Sequence, residues 1–190
     1  MRILFVCTGN LCRSPMAEGL ARSFLDREYP GMKGRFSFDS AGVAAYDGSK
    51  ATTEAVEAMM ERGIDISNHS AGSVTRSKVE ESDLVLTMEE AQREQVASLA
   101  AGADTPVFLL LKLGEAARKA LATRSGFPKR ADGLSGLLRA AGMEENDDPL
   151  AQKTPYDEVP DPIGMPVEEY RHVVKIMEGP IENILRVLTT

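Results

Sequence analysis

Apolar residues run without interruption over Ile3–Val6, Leu84–Leu86 and Val107–Leu111. Unbroken apolar runs of this length, without alternation, predict strands covered on both faces. Arg35–Asp39 reads as a further strand, the second in chain order, leading into Ser40-Ala41-Gly42. Between these runs the spacing becomes helical. Met16, Leu20 and Phe24 recur at every fourth position, with Ala17, Ala21 and Leu25 beside them. Ser14 suits an N-cap, Pro15 the first helical position, and Pro30-Gly31 an end. Ala51–Arg62 pairs Ala55 with Met59 and Val56 with Met60, and Gly63 suits the C-cap. Thr87-x-x-Glu90 has the form of a capping box opening another helix. Glu115–Ala122 and Leu134–Ala141 read as short helices separated by Gly126-Phe127-Pro128. Asn146–Pro149 and Thr154–Pro162 read as loops. Apolar positions 167, 170, 173, 174, 177, 181, 184, 185 and 188 form one face of a long last helix, which Pro180 is expected to kink or break.

Strands that alternate with helices predict an α/β fold with a mainly parallel sheet. Its 190 residues suit a single domain, 1–190, with room for a core. In such sheets ligands bind beyond the carboxyl ends of the strands. Cys7 stands at one of those ends. The net charge of −7 argues against nucleic acid or an anionic membrane as partner. An anionic substrate must therefore meet a local positive site. No stretch approaches the 18 or so apolar residues of a membrane span, and the N-terminal run lacks a cleavage site. With only two cysteines, Cys7 and Cys12, a disulfide scaffold is not expected and a reducing cytoplasm is.

The segment Cys7-Thr8-Gly9-Asn10-Leu11-Cys12-Arg13 joins the first strand to the first helix. A loop in that position turns backbone N–H groups inward and adds the positive end of the helix dipole, which together cradle a phosphoryl group. Gly9 and Asn10 tolerate positive φ. Arg13 grips two phosphate oxygens in a fork. A thiol at the base of such a cradle is placed for in-line attack on phosphorus, and Ser14 is placed to donate to the thiolate. The plain alternative is a structural thiol at a strand end with a solvated arginine.

Val6–Glu18 resembles the signature of the low-molecular-weight protein tyrosine phosphatase family. The resemblance continues through Ser40-Ala41-Gly42, Gly63-Ile64-Asp65, Ser67-x-His69, Asp83–Met88 and Asp161-Pro162. It implies a three-layer α/β fold, with a four-stranded parallel sheet of order 2-1-3-4 and helices on both faces. It places the nucleophile at Cys7, the phosphate-binding arginine at Arg13 and the general acid at Asp161, with Thr8, Gly9, Asn10, Leu11 and Cys12 completing the phosphate loop. It implies that Asn10, Ser14, Ser40 and His69 support that loop, and that Cys12 pairs reversibly with Cys7 to protect it from over-oxidation. No metal or other cofactor is implied. The implied partner is a phosphorylated protein, a kinase among the options, and a monomer is favoured.

Two Asp-Pro pairs compete as proton donor. Asp161-Pro162 directly precedes the last helix and is preferred; Asp148-Pro149 ends the acidic run Glu144–Asp148, which reads as a solvated loop. The substrate is divided between two residues. Leu11 resembles the aliphatic residue of tyrosine-directed members, whereas the arginine-phosphatase branch carries threonine there. Asp161-Pro162-Ile163-Gly164 resembles the arginine branch, although Ile163 replaces its aromatic. Phosphotyrosine is the expected substrate and phosphoarginine the alternative. Arsenate reductases share the loop, but the thioredoxin-linked kind requires further cysteines. A non-enzymatic phosphate-binding module has no need of Asp161. A zinc site would have only Cys7, Cys12, His69 and His172 to draw on. Residues 113–158 exceed what the family needs and read as an insertion near the rim of the site.

Overall fold

The computed structural model describes residues 1–123, 133–140 and 157–189. Asp148-Pro149, the run 144–148, Gly126-Phe127-Pro128 and most of the expected insertion lie outside them. Four strands, β1 (Arg2–Cys7), β2 (Ser37–Gly42), β3 (Leu84–Thr87) and β4 (Val107–Leu109), form one sheet in the order β2-β1-β3-β4. Every pairing is parallel. The expected sheet is therefore present.

Alternation along β1 explains the layers. Ile3 and Phe5 join one apolar cluster and Leu4 and Val6 the other, as successive strand residues point to opposite faces. The larger cluster packs α1 (Arg13–Glu28), α2 (Thr53–Met60), α5 (Leu110–Thr123), α6 (Gly133–Ala140) and α7 (Val167–Thr189) against one face. The smaller one packs α3 (Arg76–Glu80) and α4 (Glu90–Leu99) against the other. Among the described residues no helix is long and apolar enough to cross a membrane.

Several boundaries differ from expectation. β2 begins two residues later and takes in Ser40-Ala41-Gly42, because register with β1 carries it to the level of Cys7. α1 is capped by Cys12 and not by Ser14; the Ser14 hydroxyl is used at Cys7 instead. Thr87 belongs to β3 and donates to the Phe108 carbonyl, so α4 starts two residues later, at a cap formed by Glu89 and Gln92. β4 stops at Leu109 and runs directly into α5, which is longer than the helix expected from Glu115. The five-residue α3, capped by the Thr75 hydroxyl, has too few periods to be read from the sequence.

Pro180 lies inside α7 without ending it. Met177 and Ile181 on either side are buried, and that packing outweighs the proline's missing N–H. Gly114 of α5 lies against the ring: a Cβ on Gly114 would stand 2.4 Å from Pro180 Cβ and 2.6 Å from its Cα.

Candidate active site

The site is built where β1 turns into α1. Both Cys7 and Cys12 are buried free thiols. Sγ of Cys7 lies 3.0 Å from the Ser14 hydroxyl and accepts the Asn10 N–H at 3.3 Å. The Ser14 oxygen itself accepts from Asn10 Nδ2 at 2.9 Å. Its own proton has two acceptors within reach, Cys7 sulfur at 3.0 Å and the Ala41 carbonyl at 3.4 Å.

Asn10 is the brace of this loop. It is the one non-glycine residue with positive φ among those described, at 56°. Its side chain is fully buried and every polar atom is used. Nδ2 donates to Ser14 and to Ser40 (3.0 Å), Oδ1 accepts from the Gly72 amide (2.9 Å), and the Asn10 carbonyl lies 2.8 Å from His69 Nε2. A carbonyl only accepts, so Nε2 carries the proton in this contact. Ser40 passes the chain on to Glu18 at 2.8 Å. Asn10, Ser14, Ser40 and His69 are thus brought together as expected, and Glu18 joins them. Gly42 allows the strand end to approach: a Cβ there would meet the Thr8 carbonyl at 2.6 Å and the Asn10 nitrogen at 2.9 Å.

Arg13 is almost wholly buried although it carries a charge, which requires partners. Nη1 bonds to a Glu89 carboxylate oxygen and to the Val159 carbonyl (3.0 Å). Nη2 bonds to Asp161 Oδ2 at 2.7 Å and to the Thr8 hydroxyl at 3.4 Å. Nε is buried and has no hydrogen-bond partner among the described residues. A buried donor of this kind is costly unless an acceptor reaches it. Asp161 is therefore at the loop, with its second oxygen 3.3 Å from the Ile163 amide. Ile163 itself is half exposed, and Leu11 is partly buried against the core.

Sequence reading missed Glu89 and Gln92. The Gln92 amide donates to Thr8 Oγ1 and to Glu89 Oε2, each at 3.1 Å, and its carbonyl oxygen accepts from the Met88 and Glu89 amides. The available signal was position, since Glu89 lies just past the carboxyl end of β3, next to the strand that carries Cys7. Cys12 Sγ lies 3.7 Å from the Thr52 hydroxyl and 3.8 Å from that of Tyr170. Burial pushes its thiol pKa up, and the contacts with Thr52 and Tyr170 only partly offset this.

A buried thiol, a braced loop and a clamped arginine are the parts of a phosphoryl-binding cradle, and the sequence profile for low molecular weight phosphotyrosine protein phosphatases matches residues 2–123. The chain belongs to this phosphatase family. A probable low molecular weight protein-tyrosine-phosphatase, EpsP, of Ralstonia nicotianae is 47% identical over 96 residues, which are 50% of this chain and 61% of that protein. The protein-arginine-phosphatase of Bacillus subtilis is 46% identical over 98 residues, 52% of this chain and 62% of that one. The chain thus spans about three fifths of the curated relatives it matches. The crystal structure of a low molecular weight protein tyrosine phosphatase from T. tengcongensis is 31% identical, with a TM-score of 0.66 over 98% of both chains.

Proposed function

We propose that this member of the family hydrolyses phosphotyrosine on proteins through a phosphocysteine intermediate. The observation that carries the reading is the convergence of Cys7, Arg13 and Asp161 on one loop. The Cys7 thiolate attacks phosphorus; the S–P bond forms and the P–O bond to the leaving group breaks. Asp161 gives its proton to the leaving oxygen. Water then attacks the phosphocysteine, Asp161 takes a proton from it, and the thiolate departs with Ser14 donating to it. Incoming phosphate oxygens compete with Asp161 for Nη2 of Arg13 and reach the unpartnered Nε. That exchange frees the Asp161 carboxyl to carry the proton. Charge on the transferring group is met by Arg13 and the loop amides. The two free thiols suit a reducing compartment, the cytoplasm.

Phosphotyrosine is supported by the family match, by the Ralstonia relative and by aliphatic Leu11. Phosphoarginine is the second reading, supported by the Bacillus relative and by Ile163-Gly164 after Asp161-Pro162. Arsenate reductases of staphylococci are also among the relatives, one 41% identical over 86 residues, but the thioredoxin-linked kind needs a third cysteine and this chain has only Cys7 and Cys12.

Turnover of phosphotyrosine and phosphoarginine peptides by wild type and Leu11→Thr decides the substrate. Faster phosphoarginine turnover by the wild type overturns the first reading. For the chemistry, Cys7→Ser should abolish turnover yet still bind inorganic phosphate; activity near wild type rules out Cys7 as nucleophile. Asp161→Ala should slow turnover and Asp148→Ala should not.

A further inference from the structure

The segment that ends at Asp161 is fastened almost residue by residue. Asp157 pairs with Lys112 of α5 at 3.6 Å, the two side chains being 17% and 9% exposed. The Glu158 carboxylate accepts the Glu90 amide, the first of α4, at 3.0 Å. The Val159 amide donates to the Met88 carbonyl at 2.9 Å, and its carbonyl accepts from Arg13. Asp161 closes on Arg13. Of these anchors, the last four lie on the phosphate loop and the β3–α4 turn, which belong to the site itself. Among the described residues, the Lys112–Asp157 ion pair ties the strap to a different layer, that of α5. Lys112 stands in the first turn of α5, which leaves β4 without a loop, and the buried Leu110 and Leu113 on either side fix that turn in the core.

We propose that Lys112 is a positioning residue: through Asp157 it sets the height of the 157–161 strap, and so the place of the Asp161 carboxyl above the phosphate loop. The proposal rests on Asp161 being the proton donor. An ion pair so little exposed holds its geometry far better than a solvated one, because water does not compete for it. Losing it lets the strap shift at its upstream end, and Asp161, released from Arg13 Nη2 when phosphate enters, takes up that shift. The phosphate cradle is left intact, but proton delivery, which depends on sub-ångström placement, suffers.

The test exploits leaving-group chemistry. p-Nitrophenolate leaves readily without a proton, whereas phenolate needs one. kcat/KM reports steps through loss of the phenol, so a misplaced acid lowers it for phenyl phosphate far more than for p-nitrophenyl phosphate. For Lys112→Met we expect a loss of about tenfold on phenyl phosphate and about twofold or less on p-nitrophenyl phosphate. Lys112→Arg should restore the wild-type ratio. The double variant Lys112→Met/Asp157→Asn removes both charges of the pair and should show the same skew if Lys112→Met does not fold. Equal losses on the two esters in these variants, or no loss, overturn the proposal. Asp161→Asn is the reference: a skew there with none in the Lys112 variants sinks this inference alone. An unskewed Asp161→Asn sinks the assignment of Asp161 as acid, and this proposal with it.

Discussion

The carboxylate of Glu89, at the head of α4, is bonded to Nη1 of Arg13, while Asp161 is bonded to Nη2. Two acidic residues from distant parts of the chain thus share one buried guanidinium. Gln92 holds Glu89 in turn and ties it to Thr8. Glu89 thereby orients the fork from one side; in the proposed reaction phosphoryl oxygens displace Asp161 from Nη2 and reach Nε.

Glu89→Gln should loosen that orientation while keeping the shape of the side chain. A fall in kcat/KM of about ten- to a hundredfold is expected, the worth of one charge-assisted contact to a group that must be held in place. Steady-state kinetics on p-nitrophenyl phosphate measure it, and an unchanged value would show that Val159 and Asp161 suffice to orient Arg13.

Asn10→Ala removes the brace. Alanine tolerates φ of 56° poorly, and Ser14, Ser40 and the Gly72 amide each lose a partner. Destabilisation of about 2–4 kcal/mol is expected from the left-handed backbone and the unpaired buried groups together. Urea unfolding reads this directly. A change below about 0.5 kcal/mol, the range of an ordinary surface substitution, would mean that other contacts hold the loop.

Cys12 carries a pH prediction. Its thiol is held above the ordinary value, first by burial, so the thiolate is scarce at neutral pH and grows about tenfold per pH unit on rising toward that pKa. If Cys12 closes a disulfide on an oxidised Cys7, the rate of closure after a brief peroxide pulse should rise steadily between about pH 7 and 9. Mass spectrometry of quenched samples follows it. A rate flat across that range would remove Cys12 as the attacking thiol.

Gly114→Ala should destabilise the packing of α5 on α7. The added methyl would stand 2.4 Å from Pro180 Cβ, and the obstacle includes backbone. Overpacking of this kind costs about 1–3 kcal/mol, more than the ~1 kcal/mol that alanine adds to a helix. Thermal melts of the variant should therefore fall, and a rise would show that the two helices separate without penalty.

Local order was legible in this chain because it depends on near neighbours. The unbroken runs at Ile3–Val6 and Leu84–Leu86 marked strands buried on both sides, and the four-residue spacing of Met16, Leu20 and Phe24 marked α1. The loop between them carried Cys7, Arg13 and Ser14 in one short stretch, so its chemistry was written contiguously. Tertiary structure alone decided who meets whom across the chain. Glu89 and Val159 reach Arg13 from 76 and 146 residues away, and apart from Glu89's place after a strand end nothing in their local sequence distinguishes them from a solvated acid and a core valine. The cap of α4 moved to Glu89 because pairing with β1 and β4 kept Thr87 in the sheet. α7 passed through Pro180 because packing along its apolar face outweighed one lost hydrogen bond. Propensity and spacing act over a few residues, whereas a buried charge must be neutralised by whatever the fold brings beside it.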